Sequence, residues 1–229
     1  MEPIESWDWN ADPGMELIAG GRRWSLPRVQ IVMKTEIDAA PAFWAKAADG
    51  ARLGAAWRPS EAAAIFASGE GEDGWSLGGA LRGVLIAGAR MAYAEEGEDG
   101  GRAGLFRRWA AGRRGVLQIV IAPASDATDR ICLAVHGLRS AGARAAVAAH
   151  YQACAEARIP PWAWPVDLAI GPGESRGTGR NRYTLHPLVL TRGAPPARSA
   201  AAAEAAAILG GWREGEGAAW RAEWDGLPE

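Results

Sequence analysis

The sequence predicts a chain of the α+β class that is mainly β, and three features of residues 116–192 carry this prediction. Apolar, β-branched runs at 116–122 and 131–136 each end in turn residues, which is typical of neighbouring buried strands. An Ala-rich stretch at 141–157 has apolar residues at helical spacing and stops shortly before two prolines, which predicts a helix. Residues 166–170 and 183–192, joined by a Gly-rich turn, predict a closing hairpin.

The part of the chain before residue 116 gives weaker signals. We expect a first strand at 28–34, a short helix at 38–50 around Phe43 and Trp44, and a short strand at 53–57. Residues 77–93 are apolar but interrupted by glycines, and the β-branched composition favours a strand at 84–86. We expect these elements to be additions to the strands and helix of residues 116–192.

The length and composition predict one domain with appendages. A chain of 229 residues can bury one good core. We divide it into an N-terminal arm at 1–21, which carries Trp7 and Trp9, a single β-rich domain at 22–192, and a tail at 193–229. The tail consists of a short Pro-rich linker, an Ala-rich helix and an acidic end rich in tryptophan.

Charge and hydropathy narrow the class of protein. The net charge of −2 argues against a chain that coats polyanions with its whole surface, but it allows one basic groove. The first residues lack the pattern of a signal peptide, and no apolar run reaches the ~18 to 20 residues of a membrane-spanning helix. We therefore expect a cytoplasmic protein without a membrane partner, with its two cysteines as buried thiols rather than a disulfide.

Arginines interleaved with aromatic residues are the main candidates for a binding function. Guanidinium groups contact phosphates bidentately, and exposed rings stack on unpaired bases, so this mixture is typical of proteins that bind single-stranded nucleic acid. One group precedes the strand at 116–122, and a second lies on and before the closing hairpin. The candidate nucleic-acid-binding residues are Arg107, Arg108, Trp109, Arg113, Arg114, Trp162, Trp164, Arg176, Arg180, Arg182 and Tyr183.

A different pattern offers weaker candidates for metal binding. Cys132 and His136 are followed, thirteen residues later, by His150 and Cys154 in mirror-image spacing, a donor set that would suit zinc. The second pair lies one turn apart on a predicted helix, which is a workable geometry. Residues 132 and 136 of a regular strand lie about 13 Å apart, too far to share one ion, so we predict no metal site and no cofactor.

The order of strand pair, helix and closing hairpin resembles the later half of an OB-fold, in which a helix lies between the third and fourth strands of a five-stranded barrel. The resemblance is carried by residues 116–192, chiefly Pro165-Val-Asp-Leu-Ala-Ile170 and Asn181-Arg-Tyr-Thr-Leu-His-Pro-Leu-Val-Leu190. The chain is in this respect similar to the OB-fold single-stranded-DNA-binding proteins of phages and other mobile elements. The resemblance implies an OB-like barrel with an inserted helix and peripheral helices, and single strands lying across the barrel face.

The sequence therefore leads us to expect a protein that binds single-stranded nucleic acid with little sequence preference, DNA being favoured over RNA, in replication or recombination. It favours a binding protein over an enzyme. A first alternative is a subunit of a larger assembly, because aromatic residues and arginine are enriched at interfaces and the tryptophans of both termini, Trp7, Trp9, Trp220 and Trp224, could dock on a protein partner or a second copy. A second alternative is a zinc- or thiol-dependent enzyme that uses Cys132, His136, His150 and Cys154.

Overall fold

The computed structural model describes residues 26–33, 40–57, 65–67, 70–96, 102–196, 212 and 215–228. In these ranges the chain is mainly β, as the sequence predicts. The strands are β1 Arg28–Val32, β2 Ala42–Lys46, β3 Ile65–Ala67, β4 Glu70–Glu72, β5 Gly74–Gly78, β6 Ala80–Glu96, β7 Arg102–Phe106, β8 Arg113–Pro123, β9 Ile131–His136, β10 Val166–Ile170, β11 Glu174–Arg176, β12 Tyr183–Leu185 and β13 Leu188–Arg192. The α-helices are α1 Ala47–Gly50, α2 Leu138–Ala157 and α3 Glu216–Asp225, and 3₁₀ turns lie at Pro161–Ala163 and Gly179–Asn181.

Nine of these strands form one strongly curled sheet. Its order is β13-β10-β6-β8-β9-β1-β2-β5, with β7 paired to the far end of β6. The pairing of β1 with β9 is parallel, and the other pairings in this sheet are antiparallel. Only Gly79 separates β5, at one end of the order, from β6, near the other end, so the sheet must curl back on itself.

The long strand β6 organises the sheet. Its first residues pair with β10, residues Val84 to Glu95 pair with β8, and its last residues pair with β7. A register shift between Ile86 and Gly88, together with the positive φ of 59° at Gly83, bends the strand so that it can serve several partners. The predicted strand at 84–86 is confirmed, and the same strand continues well beyond it in both directions.

The apolar residues of β8 are buried on both faces of the sheet. Leu117, Ile119 and Ile121 point to the main core, which α2 closes with Ala143 and Val147. The alternate residues of β8, among them Val116 and Val120, lie on the opposite face, where the C-terminal segment covers them. This double burial explains why residues 116–122 of this strand are apolar except for Gln118, which is buried and accepts a hydrogen bond from Arg90.

The C-terminal segment packs on the opposite face of the sheet. Trp212 and Trp220 contact the cluster around Val120, while Leu227 contacts the cluster around Val116. Residues 215–228 are thus in contact with the β-rich domain, although the sequence led us to set them apart as a tail. The predicted arm at 1–21 and the predicted Ala-rich helix within 197–211 lie outside the described residues.

Several sequence predictions are confirmed and three are wrong. The strands at 116–122, 131–136 and 166–170 and the helix at 141–157 are present, with α2 beginning three residues earlier. The helix expected around Phe43 and Trp44 is the strand β2, because both side chains are fully buried between β1 and β5. Residues 53–57 form a turn, and the strand predicted at 183–192 is interrupted at His186 and Pro187.

Candidate nucleic-acid interface

A groove of about 760 Å³ lies where the ends of β6, β8 and β9 meet the start of α2 and the hairpin β11–β12. We call it the arginine groove. It is lined by Ala94, Glu95, Arg113, Arg114, Gly115, Val116, His136, Gly137, Leu138, Arg139, Ala141, Tyr183, Thr184 and Leu185.

The floor of the arginine groove is a tight junction between β9 and α2. Gly137 has φ 60° and ψ −136°, a conformation that a residue with a Cβ rarely adopts, and it turns the chain directly from strand into helix. The Gly137 amide donates to the Gly115 carbonyl (2.8 Å), and the Ser140 hydroxyl donates to the Gly137 carbonyl (2.7 Å). The junction therefore fixes the start of α2 against the beginning of β8.

Three arginines supply positive charge to the groove. Arg113 donates to the Arg108 carbonyl (2.9 Å), and its guanidinium lies 3.3 Å from the centroid of the Phe106 ring. Arg114 follows it on β8 and is exposed. Arg139 enters from the first turn of α2. Glu95 is the one carboxylate among the described side chains that line the groove, so the lining is net positive.

Arg139 is held by two contacts from different parts of the chain. Its Nε donates to the carbonyl of His186 (3.1 Å), and one terminal nitrogen lies 2.7 Å from the sulfur of Met33. Partial burial lowers its pKa below the ordinary arginine value, but a guanidinium remains protonated near neutral pH. Arg139 thereby connects α2 to the region that carries the hairpin.

Exposed apolar side chains lie beside these charges. Tyr183 is 43% exposed and Leu138 is 64% exposed, and both line the groove. Met33, which contacts Arg139, is 46% exposed, and Trp109, in the loop that precedes β8, is 67% exposed. Large apolar residues exposed to this degree next to guanidinium groups suit a ligand that has both flat apolar faces and negative charge.

The groove brings together candidates that are about seventy residues apart in the sequence. Arg113 and Arg114, from the first predicted group, and Tyr183, from the second, share its lining. Arg108 and Trp109 lie in the adjacent loop. The three arginines of the second group lie on or near the exposed hairpin, where Arg176 pairs with Glu174 (2.6 Å). Within the same hairpin Arg182 donates to Ser175 (2.7 Å), and Arg180 is exposed in the connecting turn.

Two lining residues with nitrogen-bearing side chains, His136 and Arg139, were not among the predicted nucleic-acid contacts. His136 was considered only as a metal ligand, and Arg139 was not singled out. A signal for Arg139 was available, because a cation in the first turn of a helix opposes the helix macrodipole, and the first turn of α2 contains no acidic residue. An arginine in that position is unfavourable for the helix and therefore indicates another role.

Trp162 and Trp164, from the second predicted group, do not line the arginine groove. Trp164 is 8% exposed, packs against Ile159 and Ala163, and donates its indole N–H to the Gly193 carbonyl (3.0 Å). Trp162 is half-buried and packs between the cluster of Trp164 and the cluster of Val120. The Trp164 ring is therefore occupied by packing within the protein, and the Trp162 ring is partly covered.

The residues of the predicted zinc pattern lie in three different places. Cys132 is buried beneath Trp212 and Trp220, His136 lines the arginine groove, and His150 and Cys154 lie together under Trp164. In the part of the chain that the structure describes, no three His, Cys, Asp or Glu side chains are grouped closely enough to hold a metal ion. The mirror-image spacing therefore does not assemble a four-ligand site.

The environments of the two thiols also oppose thiol chemistry. Burial raises the pKa of Cys132 to about 12, and burial likewise raises the pKa of Cys154. His150, whose Nε2 lies 3.6 Å from the Cys154 sulfur, has its pKa lowered by burial. A neutral imidazole beside a protonated thiol, both of them buried, is typical of packing rather than of an activated nucleophile.

The tryptophans of the C-terminal segment are engaged with the chain's own sheet. Arg90 lies with its guanidinium 4.0 Å from the ring centroid of Trp220 and 5.6 Å from that of Trp224, and it pairs with Glu223 (3.6 Å). Arg90 also donates to Gln118 (2.6 Å). The Trp220 ring is buried and the Trp224 ring half-buried against this sheet, while Trp7 and Trp9 lie outside the described residues.

In comparisons with protein-family models, with curated proteins and with solved structures, nothing matches this chain. Of the helices in the described ranges, none combines the length and apolar character that crossing a membrane would require. The functional argument therefore rests on the geometry of the arginine groove.

Proposed function

We propose that the protein binds single-stranded nucleic acid in the arginine groove, with DNA favoured over RNA and with little dependence on sequence. The observation that carries the proposal is the convergence of Arg113 and Arg114 with Tyr183 and Arg139 around one groove. Each of these residues alone has an ordinary structural explanation. Together they combine positive charge with an exposed ring, as binding to an unpaired strand requires.

The arrangement of strands supports an OB-like barrel. Apart from the short β7 and the hairpin β11–β12, the chain from β6 runs through β8, β9, α2, β10 and β13, which is five strands with a helix between the third and fourth. The long strand β6 is hydrogen-bonded to both β8 and β10, which contributes to the curl. The parallel pairing of β9 with β1 adds an N-terminal strand to this order.

Different residues of the groove would contact the phosphates and the bases of the strand. Arg113, Arg114 and Arg139 would neutralise phosphates, and backbone phosphates are the same for every sequence. Tyr183 would stack on a base, which needs the face of a base that is not already stacked in a duplex. The combination explains a preference for single strands without a code for particular bases, the property that replication or recombination demands of such a protein.

The number of arginines sets the expected salt dependence. If three guanidinium groups each neutralise one phosphate, the slope of log K against log salt is about −2, since each contact on a single strand contributes about −0.7. Arg114→Gln should change the slope by about 0.7 and weaken binding. Arg82→Gln is the matched control, because Arg82 is an exposed arginine at the opposite end of β6 and does not line the groove.

The test is a fluorescence anisotropy titration of labelled oligo-dT at several salt concentrations, with a duplex of equal length as competitor. We expect salt-sensitive binding to the single strand, weakened by Arg114→Gln and not by Arg82→Gln. Absence of binding, or equal effects of the two substitutions, would refute the arginine groove as the binding site.

A further inference from the structure

One face of the hairpin β11–β12 carries two residues of the arginine groove together with two opposite charges. In the antiparallel register, Tyr183 lies directly opposite Arg176. Leu185 lies opposite Glu174. Directly opposite residues on antiparallel strands project to the same face, and so do residues two apart on one strand. Since Tyr183 and Leu185 line the arginine groove, the two charged residues project to the face that carries groove residues.

The two charges form an ion pair at the protein surface. Arg176 donates to the Glu174 carboxylate (2.6 Å), and the side chains of Arg176 and Glu174 are 56% and 44% exposed. Water and salt screen an ion pair at this exposure, so it contributes little to stability and exchanges readily. A phosphate offers a guanidinium the same bidentate contact that a carboxylate offers. A phosphate placed beside Tyr183 is therefore a competitor of Glu174 for Arg176.

Arg182 contacts the opposite face of the same hairpin. Its guanidinium donates to the hydroxyl of Ser175 (2.7 Å). Ser175 lies between Glu174 and Arg176 on β11, and successive side chains of a strand point to opposite faces. Arg182 therefore interacts with the face of the hairpin away from the Arg176–Glu174 pair, and it provides an internal comparison for Arg176.

We propose that Glu174 limits the affinity of the arginine groove for single-stranded nucleic acid, because it neutralises Arg176 and must be displaced by a phosphate of the bound strand. The inference rests on the proposed function and adds a fourth arginine to the site, one whose charge is balanced in the free protein. When a phosphate replaces the carboxylate, one anion is exchanged for another, so the salt slope stays near that of three arginines, about −2. The carboxylate thus keeps binding weaker than the number of arginines around the groove would give.

The first test is Glu174→Gln, which removes the negative charge and keeps a side chain of nearly the same shape. Arg176 would then contact a phosphate without displacing a carboxylate. In anisotropy titrations of oligo-dT we expect roughly two- to five-fold tighter binding, the range of an exposed ion pair. The salt slope should become steeper by about 0.7, since one further phosphate is neutralised. Urea unfolding should be almost unchanged, because both side chains are exposed.

A double-mutant cycle shows whether the gain in affinity comes from Arg176. At about 0.15 M salt, repulsion between a carboxylate and a phosphate is screened beyond ~8 Å. Under these conditions Glu174→Gln should have almost no effect on binding when it is combined with Arg176→Gln. Combined with Arg182→Gln, the same substitution should still strengthen binding, because Arg182 contacts the other face of the hairpin.

Glu156→Gln is the control for the change in net charge. Glu156 is exposed near the end of α2, about 27 Å along the helix axis from Leu138, which lines the groove. Its substitution makes the same change in charge far from the groove, so the affinity and the salt slope should stay those of the unchanged protein.

The outcomes separate this inference from the proposed function. If oligo-dT binding is weakened by Arg114→Gln but unaffected by Glu174→Gln, the inference is refuted and the arginine groove stands. If Glu174→Gln strengthens binding equally with and without Arg176, the carboxylate acts by repulsion, and its competition for Arg176 is refuted. A gain of the same size from Glu156→Gln would also overturn the inference, because the effect would then follow net charge alone. If the unchanged protein binds no single strand, both proposals fail.

Discussion

Asp49 gives the protein a pH-dependent stability whose sign can be worked out from its surroundings. The side chain lies on α1 and is 2% exposed, with Arg52 at 3.4 Å. Burial raises the pKa of this carboxyl from 3.8 to about 6, against the opposing effects of Arg28, Arg52 and Lys46. The folded protein therefore holds this proton more tightly than the unfolded chain does.

Because the pKa of Asp49 is higher in the folded protein than in the unfolded chain, the free energy of unfolding falls as the pH rises. Below pH 3.8 Asp49 is protonated in both the folded and the unfolded protein, and its full contribution to the free energy of unfolding is present. Above pH 6 the buried side chain must be ionised, and this contribution is lost. The whole shift corresponds to about 3 kcal/mol, since one pKa unit is about 1.4 kcal/mol. Between pH 4.5 and pH 7 the contribution that disappears is about 2 kcal/mol.

The assay is urea unfolding of the unchanged protein and of Asp49→Asn at both pH values. Asparagine does not titrate, so the stability of the unchanged protein relative to the variant should fall by about 2 kcal/mol from pH 4.5 to pH 7. The substitution also removes a partner of Arg28. This changes the free energy of unfolding by the same amount at both pH values, so it cancels when the two differences are compared. Asp126→Asn is the control, because Asp126 is exposed and Thr128 lowers its pKa from 3.8, so its ionisation is nearly complete in both states at both assay pH values and its contribution should not change between them. Parallel pH profiles for the protein and Asp49→Asn would refute the reasoning.

Three further predictions test the site and the core. Tyr183→Ala should weaken binding to oligo-dT by about 1 to 3 kcal/mol in anisotropy titrations and leave urea unfolding unchanged, and an unaltered affinity would remove Tyr183 from the site. Trp164→Ala should cost about 3 to 5 kcal/mol in urea unfolding because the ring is buried, and an unchanged stability would contradict its place in the core. Cys132 should react with a thiol reagent at pH 8 only as fast as the protein unfolds, so rapid labelling of Cys132 would contradict both its burial and its raised pKa.

The fold was predictable where local signals and burial agree. Strands β9 and β10 were found at their bounds because β-branched runs end at turn residues there. The extent of β6 was not predictable, since its glycines weaken a strand signal and its partners, β8 and β10, come later in the chain. Residues 42–46 form the strand β2 because they pack between β1 and β5, and this packing overrides the local pattern around Phe43 and Trp44.

The types of residue in the site were predictable from the sequence, but their meeting in one groove was not. Arg113 and Tyr183 were singled out because arginine and exposed aromatic rings bind nucleic acid, but only the curl of the sheet and the junction at Gly137 bring them to one groove. The same rule selected Trp164, which is buried. Composition cannot distinguish a tryptophan that packs a core from one that stacks on a base, because both uses depend on burial.

A substitution at Leu138 distinguishes the effect of this position on stability from its effect on binding in the arginine groove. It is the first residue of α2, 64% exposed, at the positive end of the helix dipole, where an acidic residue would be more favourable. Leu138→Glu should therefore raise the free energy of unfolding by about 0.3 to 1 kcal/mol, and it should weaken binding to single strands by placing a negative charge beside Arg139 and Arg114. Stability measured by urea unfolding and affinity measured by anisotropy would then change in opposite directions. A variant that is more stable and binds equally well would mean that the exposed leucine and the neighbouring arginines have no common ligand.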